Sequence, residues 1–489
     1  MVLNDFFTEI NKQRVNYAHF KSSIRIPESM IGEQDLDILV EETDFHYFCD
    51  TLRSFGGIEV RSDASRSYPN VFDWLLVCRE SGTLFHFHLH TRIITGARFV
   101  KDFCLPFHEC ILNSREFDEK FNIYRVDYNY EFTLFVIREC LKVTFFQVVF
   151  KLLTRNSDIG YKNELDWLRQ KCTSNQIESS CKAMGISPSV VSIVLKAYAG
   201  EDKISLREVV EIKRSFKCSQ RVGGFTSHVL QLYHFVRIFL FNRVLKKGFI
   251  LKKKAIGVPP IFALVGCDGA GKTTMERLLV KKLGRHLAIK NIYLGTGDGS
   301  HSFLFILLKK IFARKPKDKS TQISTDEDSS NNLRISNNVS LLRSISALYV
   351  AYTRYRLMKK AHSLRSKGYY IFFTRYPQLT HPGLNDGLKL SNARGRLKRV
   401  FESIEYSIVS STLRKYHADD LYVLSLPLET VVKRRQDTMD IKRISQKHAA
   451  IMTTDWSVSG GIEYIDATKS QELVYSSLVE RIWDSYKRG

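Results

Sequence analysis

Gly266-Cys267-Asp268-Gly269-Ala270-Gly271-Lys272-Thr273-Thr274 follows an apolar run, Ile261 to Val265, and precedes a stretch of helical pattern, Met275 to Gly284. The order is strand, glycine-rich loop, helix, which is the setting of a phosphate-binding loop. Gly266, Gly269 and Gly271, with the small Ala270 between them, let the backbone curl until successive N–H groups point inward at phosphate oxygens. The helix that opens at Lys272, Thr273 and Thr274 adds the partial positive charge of its N-terminus. Lys272 is expected to reach the β- and γ-phosphates of a nucleotide, and the Thr273 hydroxyl to ligate Mg2+.

Downstream, four apolar runs read as strands: Asn291 to Leu294, Tyr369 to Phe373, Leu421 to Leu426 and Glu463 to Ile465. Long helical patterns alternate with them, notably Ser340 to Lys367 and Gln471 to Tyr486. Alternation of this kind predicts an α/β fold, a P-loop NTPase parallel sheet with helices on both faces and a ligand site at the carboxyl ends of the strands. The polar segment 314–338, rich in Ser, Asn and charge, is expected to be a mobile insertion in this domain.

These elements resemble the thymidylate kinase family over about 258–489. GCDGAGKTT is similar to that family's loop, including the acid at Asp268, which the resemblance places toward the acceptor nucleotide. FFTRYP occupies the place of the family's Asp-Arg-Tyr motif, so Arg375 is implied to hold the acceptor phosphate or the phosphoryl group in flight. DLYVLSLPLETVVKRRQ resembles the strand that leads into an arginine-rich lid, which makes Arg434, Arg435 and Arg443 the implied lid cations. EYIDATKSQELV looks like the last strand and helix, near the adenine ring. The resemblance implies ATP and Mg2+ as cofactors and transfer of the γ-phosphoryl group to a (deoxy)nucleoside monophosphate. Lys272, Asp268, Arg375, Arg434 and Arg435 are then the catalytic set, although a solvated rim charge stays open as the plain alternative for each arginine.

Two departures accompany the resemblance. Thr374 stands where the family has an aspartate, with Asp268 or Asp386 of the loop His381 to Gly387 available to compensate. Gly295-Thr296-Gly297-Asp298 replaces the family's acceptor-site arginine pattern, so thymidine specificity is not implied.

A second constellation lies near the N-terminus. Asp35-Leu36-Asp37-Ile38-Leu39-Val40 alternates as a strand, which puts Asp35 and Asp37 on one face, where two carboxylates jointly hold a divalent metal. Ser22-Ser23 precedes them. The arrangement resembles the nucleotidyltransferase superfamily with its α+β polymerase-β-like fold over about 10–110, in which a Gly-Ser turn cradles a triphosphate and three carboxylates bind Mg2+. The strand Leu84 to His90, where the third acid belongs, offers His86, His88 and His90 on one face, and His88 aligns with the missing aspartate. Three outcomes stay open: the fold without its chemistry, a metal such as Mn2+ or Zn2+ that accepts imidazole, or a solvated strand end.

The whole chain has 489 residues and a formal charge of +23, unevenly spread. The balance is −6 over residues 1–130, +12 over 131–257 and +17 over 258–489. A basic surface suits phosphate-rich partners, nucleic acid included, without choosing among them. Nine cysteines without a Cys-x-x-Cys pair, and an N-terminus without an apolar leader run, predict a cytoplasmic protein. The expected division is 1–130 nucleotidyltransferase-like, 131–250 a helical linking region and 258–489 the kinase-like domain, with 251–260 as linker. Val229 to Leu245 reads as a packed amphipathic helix with a solvated basic edge, with membrane-surface contact as the lesser alternative. A homodimer is expected. Two rival functions are a polynucleotide or RNA-end kinase, from the basic stretches Leu342 to Lys360 and Arg394 to Arg399, and a nucleotide-binding switch or scaffold with weak turnover.

Overall fold

The computed structural model describes residues 2–144, 159–200, 204–244, 252–295, 341–391, 395–435, 440–457 and 459–488. The expected insertion 314–338, together with Thr296, Gly297, Asp298 and Arg394, lies outside the described residues, as does the side chain of Arg435. The chain divides into two units, Met1–Ile256 and Gly257–Gly489.

Among the described residues the first unit carries ten strands: β1 Tyr17–His19, β2 Leu36–Val40, β3 Ile58–Arg61, β4 Val71–Val77, β5 Leu84–His90, β6 Ile93–Thr95, β7 Phe103–Leu105, β8 Arg115–Asp118, β9 Ile123–Val126 and β10 Lys254–Ala255. Eight of them form one mixed sheet in the order β10-β3-β4-β5-β2-β1-β9-β8, and β6 pairs with β7. Strand alternation gives the sheet two different faces. Tyr17, Ile38, Trp74, Phe85, Phe87 and Leu89 bury against the helices Val2–Lys12 and Phe45–Ser54. Ala18, Phe20 and Leu39 belong to a second core built with the helices between residues 128 and 215. Asp37 and the three histidines share the parity of Leu39, so they belong to this second face.

Three expectations change here. The helices of 131–250 do not stand apart as a spacer: Phe132, Ile137, Ile177, Val194 and Ile212 share a core with the sheet, because short amphipathic helices bury their apolar faces only against a partner. The stretch expected as linker contributes β10, which pairs antiparallel with β3 as Lys254↔Arg61 and Ala255↔Val60. The amphipathic helix, Gly224–Phe239, packs the opposite way round. Its polar Ser227 and Gln231 are buried while Phe225, Leu232, Phe235 and Phe239 are exposed. Ser227 donates to Asp102 (3.0 Å) and Arg237 makes a two-pronged pair with Asp63 (2.7 and 2.9 Å), and these bonds hold the polar face down. Among the described residues no helix is long and apolar enough to cross a membrane.

The second unit is a five-stranded sheet, parallel throughout, in the order β12-β13-β11-β14-β15. Its strands are β11 Ile261–Gly266, β12 Ile289–Tyr293, β13 Tyr370–Thr374, β14 Asp420–Ser425 and β15 Gly461–Asp466. The central strand β11 is buried along its whole length, as an apolar run with helices on both faces requires. Helices Lys272–Lys282, Leu341–Arg365, Arg396–Tyr416, Leu428–Arg435, Ile441–Thr453 and Gln471–Arg488 supply those faces. The carboxyl ends of β11, β13 and β14 open toward the glycine-rich loop, and β13 lies beside β11 with Thr374 opposite Leu264.

Candidate functional site

At the end of β11 the chain turns through Gly269 (φ 91°) and Gly271 (φ 87°) before the helix starts at Lys272. Among the described residues nothing lies within 4 Å of a Cβ built on Gly271, and it is the left-handed backbone that calls for glycine there. Lys272 Nζ donates to the carbonyls of Gly266 and Cys267, both at 2.8 Å, and so folds over the loop it would serve. Burial pushes its pKa down, and the Asp268 carboxylate opposes that shift. Thr273 is exposed and Thr274 half-buried on the first turn, while Ala270 is buried beneath the loop.

Asp268 accepts from Lys447 Nζ at 2.7 Å. Burial alone would raise its carboxyl, but Lys272 and Lys447 outweigh burial and hold it at about 2. Arg375 follows β13 in a left-handed conformation (φ 64°), uncommon for a residue with a side chain. Its side chain passes so close to Gly295 that a Cβ there would lie 2.6 Å from Arg375 Cδ. Arg375 Nη1 stands 3.8 Å from Asp386, whose charge also reaches Lys272. Arg434 donates to the Gly269 carbonyl at 3.0 Å, which brings the implied lid cation onto the loop. The sequence-predicted Lys272, Asp268, Arg375 and Arg434 therefore meet around one loop.

Two cations here escaped the sequence reading. Lys447, on the helix Ile441–Thr453, gives no motif signal. Arg354 is buried within the helix Leu341–Arg365 and donates to the Leu294 carbonyl (2.8 Å), the Asp386 carbonyl (2.9 Å) and the Asp386 carboxylate (2.9 Å). It thereby fixes both the end of β12 and the loop that carries Asp386. Gln378 closes that loop from inside, donating to His381 O at 2.9 Å and Leu384 O at 2.8 Å. Thr374 is buried and donates its hydroxyl to Asn291 Oδ1 at 3.3 Å, so that proton is already committed.

In the first unit, β2 and β5 run parallel with Asp37 opposite His88. On the other side of β5, Asp73 of β4 also stands opposite His88. The sequence reading missed Asp73, although an acid inside the apolar run VFDWLLV was the available signal. His86 links Asp35 (2.6 Å) to Asp73 (3.1 Å), and His88 links Asp37 (3.3 Å) to Asp73 (3.0 Å). Lys21 sits 2.7 Å from Asp37 and Lys253 2.6 Å from Asp73. Burial opposes ionisation of Asp73, yet the two histidine hydrogen bonds and Lys253 keep its carboxyl far below the ordinary range. Burial drives His90 down to about 3.

The turn before β2 is also occupied by the protein's own groups. Ser22 adopts φ 58°, the conformation for which a glycine is the natural choice, and the Ser23 amide donates to Glu131 at 2.8 Å. Burial raises the Glu131 carboxyl to about 7. Ligand atoms of Asp35, His86 and His88, and of Asp37, His88 and His90, lie within 4.8 Å of one another. This donor set does not fit a Mg2+ pair. Imidazole replaces a hard oxygen, and ammonium groups already sit on Asp37 and Asp73.

No family model matches the chain. Over 186 residues it is 24% identical to the uncharacterized ATP-binding protein YghR of Escherichia coli (strain K12), covering 37% of this chain and 70% of that protein. Over 139 residues it is 27% identical to the uncharacterized ATP-binding protein YghS of the same strain, covering 28% of this chain and 55% of that protein. Among solved structures, a thymidylate kinase from Candida albicans is 18% identical and aligns with a TM-score of 0.30, over 46% of this chain and 91% of that one. At that score the fold rests on the strand order and loop geometry given above.

Proposed function

We propose that the second unit binds ATP at the loop Gly266–Thr274 and transfers its γ-phosphoryl group to a (deoxy)nucleoside monophosphate. The observation that carries this reading is the meeting of Lys272, Asp268, Arg375 and Arg434 around a loop with two left-handed glycines. The description of YghR and YghS as ATP-binding supports the nucleotide half of it.

Phosphoryl transfer asks a protein mainly for position and positive charge. On this reading the Lys272 ammonium exchanges its carbonyl partners for the β- and γ-phosphate oxygens. An acceptor phosphate oxygen attacks the γ-phosphorus, the bond to the β,γ-bridging oxygen breaks, and ADP leaves. Arg375, aimed by its backbone and braced by Asp386, holds the acceptor phosphate, and Arg434 closes over the transferring group. The exposed Thr273 hydroxyl is a hard oxygen ligand of the kind Mg2+ takes once beside phosphate and water, so the residues fit that ion. When bound, Mg2+ supplies charge neutralisation between the phosphates.

The commitment of the Thr374 hydroxyl to Asn291 favours a second reading, a switch that binds ATP with little turnover. A screen of mononucleotides, nucleosides and oligonucleotides with γ-labelled ATP separates the two. Label on a monophosphate supports the kinase. Tight ATP binding without label on any acceptor supports the switch, and label only on oligonucleotide ends refutes both in favour of an end kinase.

For the first unit we propose a nucleotidyltransferase-type outline that does not transfer nucleotidyl groups. The support is internal occupancy: Glu131 fills the turn amide, and Lys21 and Lys253 sit on Asp37 and Asp73. Incorporation of labelled AMP from α-labelled ATP into the protein, or into any acceptor, would refute that proposal.

A further inference from the structure

His90, the last residue of β5, is only 4% exposed, and neither of its ring nitrogens has a hydrogen-bond partner among the described residues. A neutral imidazole carries one N–H and one lone pair, and burying both unmet is unfavourable unless something else satisfies them. His90 Nε2 lies 3.7 Å from Asp37 Oδ1. Two residues back on the same strand face, His88 turns Nδ1 to that same oxygen at 3.3 Å. One ligand atom from each of Asp37, His88 and His90 lies within 4.8 Å of the other two. Donors around a tetrahedral Zn2+ stand about 3.3 Å apart, given bonds of about 2.0 Å, so the three groups are close to the spacing such an ion imposes.

Two imidazoles and one carboxylate suit a borderline ion such as Zn2+ where they do not suit Mg2+. The surroundings are also those of a metal-binding histidine, whose second nitrogen ordinarily donates to a carboxylate. His88 Nε2 stands 3.0 Å from Asp73, nearer than Lys253 at 3.5 Å, and Lys253 in turn holds Asp73 at 2.6 Å. The other grouping, Asp35 with His86 and His88, is less suited, because His86 already spans Asp35 (2.6 Å) and Asp73 (3.1 Å) with both nitrogens. Lys21 is the competing cation, its Nζ 2.7 Å from Asp37 Oδ1. It marks a place where positive charge is wanted, and its partly exposed side chain has a path to solvent. We propose that Asp37, His88 and His90 bind a single Zn2+, with Lys21 giving way to the ion and Asp73 orienting His88. The proposal stands whether or not the unit transfers nucleotidyl groups, and it is independent of the kinase reading.

Titration of the chelator-treated full chain with Zn2+ against a chromophoric chelator tests it, with Mg2+ in large excess and circular dichroism as the check on folding. One tight equivalent that Mg2+ does not displace is the expected result for the parent protein. His90→Phe keeps a buried ring without its nitrogens and is expected to weaken Zn2+ binding about a hundredfold. Lys21→Met keeps the aliphatic stem without the competing charge and is expected to tighten binding about tenfold, a gain that adventitious binding at a cysteine would not show. Absence of a tight equivalent overturns the proposal, as does the same affinity in a folded His90→Phe variant. Should His90→Phe fail to fold, Lys21→Met decides: tighter binding supports the site, and unchanged affinity overturns it.

Discussion

Lys447 Nζ stands 2.7 Å from Asp268 Oδ2, so an ion pair ties the helix Ile441–Thr453 to the glycine-rich loop. Asn385 strengthens the same junction by donating to the Lys447 carbonyl at 2.7 Å, which joins the Asp386 loop to that helix. The loop, the helix behind the implied lid and the Arg375 brace thus form one connected frame. Phosphoryl transfer depends on such positioning more than on any single reactive group.

Removing the Lys447 charge should leave Asp268 ionised but free to turn. Lys447→Met is expected to lower kcat/KM for ATP about tenfold, and Lys447→Arg to restore most of it. Steady-state ADP release measures both. Equal activity in Lys447→Met and the parent protein would remove Lys447 from the frame.

The first unit offers a stability test at Asp73. Asp73→Ala leaves Lys253 and His88 buried without their shared carboxylate, a defect that costs about 3 kcal/mol. Urea unfolding followed by tryptophan fluorescence reads it, with Trp74 as the neighbouring probe. A loss below about 1 kcal/mol would mean that the network carries little of the unit's stability.

A pH dependence follows from Glu131. Its carboxyl ionises near 4.5 in an unfolded chain and near 7 in the fold, so the unfolded chain releases the proton first as pH rises. The stability it contributes is complete below pH 4.5 and is lost as pH climbs through 7. Glu131→Gln keeps an acceptor for the Ser23 amide and removes the titration. The variant should unfold at a higher urea midpoint than the parent at pH 8 and show no such gain at pH 4.5. An equal difference at both pH values would contradict the assignment.

Much of the second unit was legible because its signals are local. The loop needs glycines at fixed offsets, and β11, β13, β14 and β15 are apolar runs whose ends fall within a few residues of those expected. Lys447 and Arg354 were not legible, since a charged residue on a helix becomes informative only when the fold shows what it faces. The histidine face was visible from alternation, whereas only the register shows that His88 stands opposite Asp37. Asp73 showed only as an acid within the apolar run of β4, and the fold alone shows that it faces His86 and His88. The helix Gly224–Phe239 misled most: its pattern reveals two unlike faces, but only the contacts at Asp102 and Asp63 decide which face is buried.

The proposed ATP site depends on the cage that Lys272 completes. Titration calorimetry of the full chain with Mg2+ and ATP, repeated on Lys272→Ala, measures it directly. Saturable heat for the parent protein, and a loss of affinity of at least about a hundredfold in a variant that remains folded, is the predicted result. No heat with the parent protein, or the same affinity in Lys272→Ala, would contradict it.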